Sequence, residues 1–260
     1  MSHEEQRRYL IQALLNENPR YRKIEIPANE KEQKDLLRSL FNVRHPEPIS
    51  DDFIEIQDNY LKAEMESQEI VDIDTLASTD FHERIYLWQG DITTLKVDAI
   101  VNAANSALLG CFQPLHNCID NMIHTRSGVQ LRLKCNELML EQGHEEETGK
   151  AKITPGYNLP SKYVLHTVGP IISGKLRERD RKLLADCYNS CLEVALQHEV
   201  KSVAFCCIST GVFCFPQREA ARIAIQTVSA FLGNNSSDLK VVFNVFTDTD
   251  LGIYQEILEC

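Results

Sequence analysis

No uninterrupted apolar run in the chain approaches the roughly 18 residues that a membrane span requires, so no membrane partner is expected. Positive charge is also scarce. With 27 Lys and Arg against 38 Asp and Glu, the formal net charge is −11 and the sequence pI about 5.2. Nucleic-acid binding draws most of its affinity from a basic footprint, so a reader of phosphate backbones is set aside and no nucleic acid is expected. The Lys-containing P-loop pattern is missing as well, which argues against ordinary nucleoside triphosphate hydrolysis. Internal repeats, low-complexity tracts and a charged-then-apolar leader are absent. Without such a leader, nine cysteines in an odd and irregular arrangement do not read as a secreted disulfide framework. Together these absences predict a soluble protein of a reducing cytoplasm.

What is present divides in two. At 260 residues and 29.6 kDa the chain can hold one domain of ordinary size and a smaller extension. Residues 1–80 read as a helical N-terminal extension. Leu10 and Leu14, then Leu36, Leu37, Leu40 and Phe41, then Phe53, Ile56, Tyr60, Leu61 and Met65 recur at helical spacings. Ser50-Asp51-Asp52 is a helix start with acids at the positive end of the dipole. Pro19, Pro27 and the stretch His45-Pro46-Glu47-Pro48 break the pattern into short pieces. An acidic segment from Glu64 to Asp80 then leads into a second domain, residues 81–260, where strand runs alternate with helix runs. Strands are expected near residues 85–89, 99–102, 151–154, 163–168, 202–208 and 241–246, several of them near-continuous apolar runs of the kind covered on both faces. Helices are expected near residues 119–124, 129–142, 179–198, 217–232 and 251–258, with Gly143 and Gly233 where helix C-caps belong. This alternation implies a three-layer α/β/α sandwich with a mixed sheet.

In open α/β sheets the ligand crevice lies beyond the carboxyl ends of the strands. Four segments qualify: Gly90-Asp91-Ile92-Thr93, the turn Asn102-Ala103-Ala104-Asn105 with the loop behind it, Gly169-Pro170, and Ser209-Thr210-Gly211-Val212-Phe213. The last joins an apolar strand to a helix opened by Pro216-Gln217, with Pro216 at the first helical position. Amide N–H groups of such a turn cradle phosphate without a lysine, although a Ser-Thr-Gly turn is often only a turn. Asp91 offers an acceptor for an adenine amino group or a ribose hydroxyl, or else caps its own turn. Asn102 and Asn105 offer amides for ribose hydroxyls, or hold their loop closed.

Beyond the Asn turn, Cys111, His116 and Cys118 fall within eight residues. Two sulfurs and an imidazole are suitable donors for zinc. On a helix their spacing would point them to different faces, and Pro114 disfavours a regular helix there, so a loop folded around one ion is expected. Three protein ligands leave a coordination position open, the usual mark of a catalytic zinc. The bland reading is two buried cysteines and a surface histidine, and the rival chemistry is a nucleophilic cysteine with His116 as its base. Cys187, Cys191, Cys206 and Cys207 lie in apolar patterns that explain them without chemistry.

With these residues in place, the chain from about Arg84 to Cys260 resembles the macrodomain family of ADP-ribose-binding modules. The resemblance rests on Gly90-Asp91-Ile92-Thr93, Val101-Asn102-Ala103-Ala104-Asn105, His166-Thr167-Val168-Gly169-Pro170 and Ser209-Thr210-Gly211-Val212-Phe213, all in family order. The segment from Gly110 through Cys118 to Asn121 is similar, more narrowly, to zinc-dependent microbial macrodomains, protein-ADP-ribose hydrolases associated with sirtuin-type ADP-ribosyltransferases and carrying a helical N-terminal extension. The resemblance implies that Asp91 holds the adenine, Ile92 lines that pocket, Asn105 contacts the distal ribose, and Ser209, Thr210, Gly211, Val212 and Phe213 wrap the diphosphate. It further implies a zinc on Cys111, His116 and Cys118, with Asn105 and His116 in catalytic roles. Most macrodomains place a glycine-rich loop after the Asn turn. That loop is absent here, and mechanisms that depend on it do not carry over. The expected activity is zinc-dependent removal of ADP-ribose from mono-ADP-ribosylated protein side chains. A non-catalytic ADP-ribose reader with a structural zinc and an O-acyl-ADP-ribose hydrolase stand as alternatives, and Asp120 and His124 as options for acid or base.

Overall fold

The computed structural model describes residues 1–258, so Glu259 and Cys260, the last two residues of the expected second domain, lie outside the described residues. Three helices open the chain: α1 (His3–Glu17), α2 (Glu30–Val43) and α3 (Asp51–Glu66). Each starts after a short polar side chain that accepts an amide N–H left unpaired by the first turn: Ser2 from Glu5, Asn29 from Glu32, Ser50 from Phe53. Leu10, Leu14, Leu37, Leu40, Phe41, Phe53 and Tyr60 meet in a buried cluster of their own, joined by Val129 from the second domain.

The rest of the chain runs β1 (Val71–Asp72), β2 (Ser78–Thr79), β3 (His82–Gln89), β4 (Leu95–Lys96), β5 (Ala99–Ala104), α4 (Ile119–Ser127), α5 (Val129–Gln142), β6 (Ala151–Pro155), β7 (Tyr163–Val168), α6 (Glu178–Gln197), β8 (Ser202–Phe205), α7 (Gln217–Asn234), β9 (Lys240–Val245) and α8 (Asp248–Leu258). Seven strands form one sheet in the order β2-β3-β9-β8-β5-β7-β6. The two outer pairs are antiparallel and the inner neighbours parallel. Ala99, Ile100, Val101 and Asn102 of central β5 are fully buried, as strands sandwiched between helical layers must be. The three-layer sandwich with a mixed sheet is the fold the sequence predicts. No helix among the described residues is long and apolar enough to cross a membrane.

Several local expectations shift. The strand expected over 202–208 stops at Phe205, although Cys206 and Ile208 stay buried, because an apolar run marks burial and not pairing. β5 extends to Ala104, since β7 pairs with it up to Ala104↔Val168. Gly143 is a left-handed C-cap with φ 74°, but Gly233 lies inside the last turn of α7, which ends at Asn234 with Asn235 as its C-cap. Pro216 is the N-cap of α7 and not its first helical residue. Within the acidic segment, β1 and β2 are two residues each, too short for a period-2 pattern; they exist by pairing with β4 and β3.

The N-terminal layer is joined to the sheet domain by buried polar contacts. Gln57 accepts a hydrogen bond from Val129 N at 3.0 Å and donates to Gln130 Oε1 at 2.7 Å, while Asp58 Oδ1 accepts from Asn158 and Gln130, each at 2.7 Å. Gln57→Leu would leave the Val129 N–H buried at the start of α5 without its acceptor. Urea unfolding should then show a stability loss of about 1–3 kcal/mol; a loss below about 0.5 kcal/mol, the range of ordinary surface changes, would show that the contact is dispensable.

Candidate active site

Strands β3, β9, β8, β5 and β7 are neighbours and parallel, so the loops that leave them emerge at one edge of the sheet. The four segments singled out in the sequence therefore share that edge. After β3, Asp91 Oδ1 accepts from Thr93 N at 2.9 Å and Thr93 Oγ1 at 2.7 Å, capping a short 3-10 turn. Its Oδ2 makes no hydrogen bond among the described residues, and Ile92 beside it is buried.

After β8 the chain turns through Ser209, whose φ is 65°. The turn is closed by Cys214 N to Gly211 O and Phe215 N to Ser209 O. The amides of Ser209, Gly211, Val212 and Phe213 donate to no group among the described residues, and the buried Ser209 Oγ also lacks a partner. Gly169, leaving β7, lies so close that a Cβ there would come within 2.0 Å of Ser209 Oγ. Free amide donors beside the N-terminus of α7 suit an anion without a cationic side chain.

After β5 the structure separates the two asparagines. Asn102 sits within the strand, fully buried, and donates to Asp120 Oδ1 at 2.8 Å and contacts His166 Nδ1 at 3.2 Å; it faces the core and not a ligand. Asn105, just past the strand, donates to Gly110 O at 3.0 Å and Asp120 Oδ2 at 3.3 Å and accepts from Ala107 N at 3.1 Å. It closes its own loop and rests on Asp120. Burial pushes the Asp120 carboxyl up to about 6, against the lowering by Asn102 and Arg132. Burial drives His124 well below its ordinary value, helped by Arg132 and His166, and burial alone takes His166 down to about 3. The 3.6 Å contact between His124 and Asp120 is therefore a charge facing a neutral ring at neutral pH.

The loop from Cys111 to Cys118 brings the three expected donors together. Cys111 Sγ lies 3.6 Å from His116 Nδ1, and the donor atoms of Cys111, His116 and Cys118 all fall within 4.8 Å of one another. Cys118 is the N-cap of α4, its sulfur accepting from Asn121 N at 3.4 Å. Burial, with Cys111 and Asp120 nearby, pushes its thiol up to about 11. Two soft sulfurs and an imidazole at this separation fit a zinc ion.

His124, Cys135 and His166 form a second close group of donors, yet His166 is already engaged by Thr154 Oγ1 at 2.9 Å and by Asn102, and the Arg132 charge acts on His124. This group is a polar core network. An open depression between α6 and α7, lined by Asn189, Glu193, Gln226 and Asn234, lies away from these strand ends.

Three polar side chains with no motif of their own hold the Cys111–Cys118 loop in place. Asn121, fully buried on α4, donates to Cys111 O and Gln113 O at 3.3 and 3.0 Å. Arg38 on α2 donates to His116 O at 2.7 Å and Asn121 Oδ1 at 3.0 Å. Arg132 on α5 donates to Leu109 O and stacks 4.4 Å from the centre of the Phe112 ring. The available signal was polar side chains flanking the apolar stripe of α2, which in a sequence is indistinguishable from a solvated face.

The sequence profile of the family described as Macro domain matches residues 101–224. A protein-ADP-ribose hydrolase of Treponema medium is 56% identical over 260 residues, covering 99% of this chain and all of its own length. One from Staphylococcus aureus (strain MSSA476) is 51% identical over 249 residues, covering 95% of this chain and 93% of its own. Among solved structures, a Trypanosoma brucei macrodomain in complex with ADP-ribose superposes with a TM-score of 0.67 at 30% identity, over 85% of this chain and 94% of that one.

The buried histidines set a pH dependence. Their folded pKa values lie below the unfolded value of about 6.5, so between 6.5 and 3 the unfolded chain binds more protons and stability is lost as pH falls through that window. Asp120, raised to about 6, opposes this with a single proton. Urea midpoints of metal-free protein should therefore drop between pH 7 and 4.5, and His166→Gln should flatten the slope. An unchanged slope in that variant would assign the dependence to other groups.

Proposed function

This chain belongs to the macrodomain family, and from that premise we propose that it is a protein-ADP-ribose hydrolase, releasing ADP-ribose from mono-ADP-ribosylated protein side chains. The observation that carries this reading is the match to hydrolases along essentially the whole chain, helical extension included. The cytoplasm is its proposed setting, consistent with eight described cysteines that are all free thiols, and a sirtuin-type ADP-ribosyltransferase is the proposed source of the modified substrate.

In this reading ADP-ribose lies along the shared sheet edge. Asp91 receives the adenine amino group on its free Oδ2, and Ile92 lines the base. The unpaired amides of Ser209, Gly211, Val212 and Phe213, with Thr210 between them, take the diphosphate, which places charge against dipoles and avoids a lysine. Asn105 orients the distal ribose from its seat on Asp120. Remote binding energy at the base and diphosphate thus fixes the bond to be cut relative to the groups that act on it.

Cys111, His116 and Cys118 hold zinc in this proposal. When bound, zinc supplies Lewis acidity at an open coordination position, moderated by the two thiolates that cancel its formal charge. Orientation by Asn105 and Asp120 carries correspondingly more of the catalysis. Asp120, its carboxyl raised to about 6 by burial and held beneath the Asn105 amide, is assigned as the proton acceptor there.

The test is release of ADP-ribose from an ADP-ribosylated protein, followed by mass spectrometry, with as-purified, chelator-stripped and zinc-restored protein. Release should vanish on stripping and return with zinc. Persistence after stripping would favour Cys111 as a nucleophile with His116 as base. Binding without turnover in every state would leave a reader, and preference for a small O-acyl ester would make the protein a metabolite hydrolase.

Single substitutions divide the roles. Cys111→Ala and Cys118→Ala should lose zinc and turnover together while the fold persists. Asn105→Ala should keep zinc and lose turnover by roughly 100-fold, the scale of a misplaced substrate. Full activity in that variant would remove Asn105 from the mechanism.

A further inference from the structure

Helix α2 touches the metal loop with two side chains one turn apart. Arg38 spans two acceptors, the His116 carbonyl at 2.7 Å and Asn121 Oδ1 at 3.0 Å. Asn42, four residues on and 1% exposed, accepts from Leu115 N at 3.0 Å and donates to Thr125 Oγ1 at 3.0 Å. Residues at this spacing share one helix face. Their four partners lie 73 to 83 positions away in sequence, so only the packing of the N-terminal layer creates these contacts.

What α2 holds is the part of the loop least able to hold itself. Leu115 has φ 56°, a left-handed backbone that a Leu side chain disfavours, and it immediately precedes His116. The amide of that strained residue is the one Asn42 fixes. Asn121 supports the carbonyls of Cys111 and Gln113 with its nitrogen, and Arg38 occupies its oxygen, which locks the amide in the orientation the loop needs. Arg38 Nε is itself buried without a partner. Burying that donor is a cost the side chain bears while another of its nitrogens serves two acceptors.

We infer that α2 is part of the metal apparatus: Arg38 and Asn42 are positioning residues that fix the Leu115–His116 backbone, and through it the His116 donor, for zinc. The inference rests on the zinc reading above. It assigns the helical extension a task beyond completing the core. Outer partners of metal ligands set affinity by orienting donors before the ion arrives, and here the partners come from a separate structural layer.

The experiment uses the full chain, stripped of metal and titrated with Co²⁺, whose thiolate and ligand-field absorption reports donor geometry, with zinc affinity measured by competition. Wild type, Arg38→Met, Arg38→Lys and Asn42→Ser are compared, alongside melting of each metal-free protein. Arg38→Met should weaken zinc by roughly 10- to 100-fold and alter the cobalt spectrum while the metal-free melting temperature falls by only about 2–4 °C, the scale of one lost hydrogen bond. Arg38→Lys should recover part of the affinity, and Asn42→Ser should shift the spectrum in the same sense. Variants with wild-type zinc affinity and spectrum would overturn the proposal while leaving the zinc reading intact, and so would losses of affinity accompanied by a larger fall in metal-free melting temperature. A wild-type protein that takes up no cobalt would overturn the zinc reading itself, and the proposal with it.

Discussion

Between Ala104 and Ile119 fourteen residues run without regular secondary structure, and their backbone polar groups must find partners elsewhere. That constraint organises the site. Asn105 takes the Gly110 carbonyl, Asn121 those of Cys111 and Gln113, Arg38 that of His116, and Arg132 that of Leu109. Asn105 belongs to the loop itself, Asn121 stands on the helix the loop runs into, Arg132 on the helix after that, and Arg38 on a layer built by the first third of the chain. A loop satisfied in this way presents Cys111, His116 and Cys118 together, and it places Asn105 against Asp120 beside them.

Around that loop the molecule handles charge by burial and by dipoles. A protein of net charge −11 has little long-range attraction to offer a diphosphate. The turn after β8 offers unpaired amides instead, and the proposed diphosphate site relies on their fixed dipoles acting at close range. Beneath the Asn turn, two histidines kept neutral and one carboxyl raised toward neutrality form a polar core joined by Asn102 and Thr154. Such a network stays rigid only while its members keep the protonation states that burial dictates.

Much of this was legible along the chain. Apolar runs marked the inner strands, Ser50 and its acids marked a helix start, and the strand-end segments Gly90–Thr93, Asn105 and Ser209–Phe213 were picked out by residue type. The boundaries that slipped did so for physical reasons. Cys206 and Ile208 are buried without pairing, Gly233 is tolerated inside the last turn of α7, and β1 and β2 are too short to carry a pattern. Asn102 and Asn105 look alike in sequence, yet β5 is covered on both faces and buries the first, while the end of the strand releases the second.

The donor types of the Cys111–Cys118 loop, the layer architecture and the four loops that share an edge could all be read from the chain, because each is encoded locally by residue chemistry and spacing. Tertiary structure alone decided that Asp120 lies beneath Asn105, that four amides of the Ser209 turn stay unpaired, and that Arg38 and Asn42 reach across from α2 to the loop. Those contacts join residues far apart in sequence, and their geometry exists only once two hydrophobic cores have packed against one another.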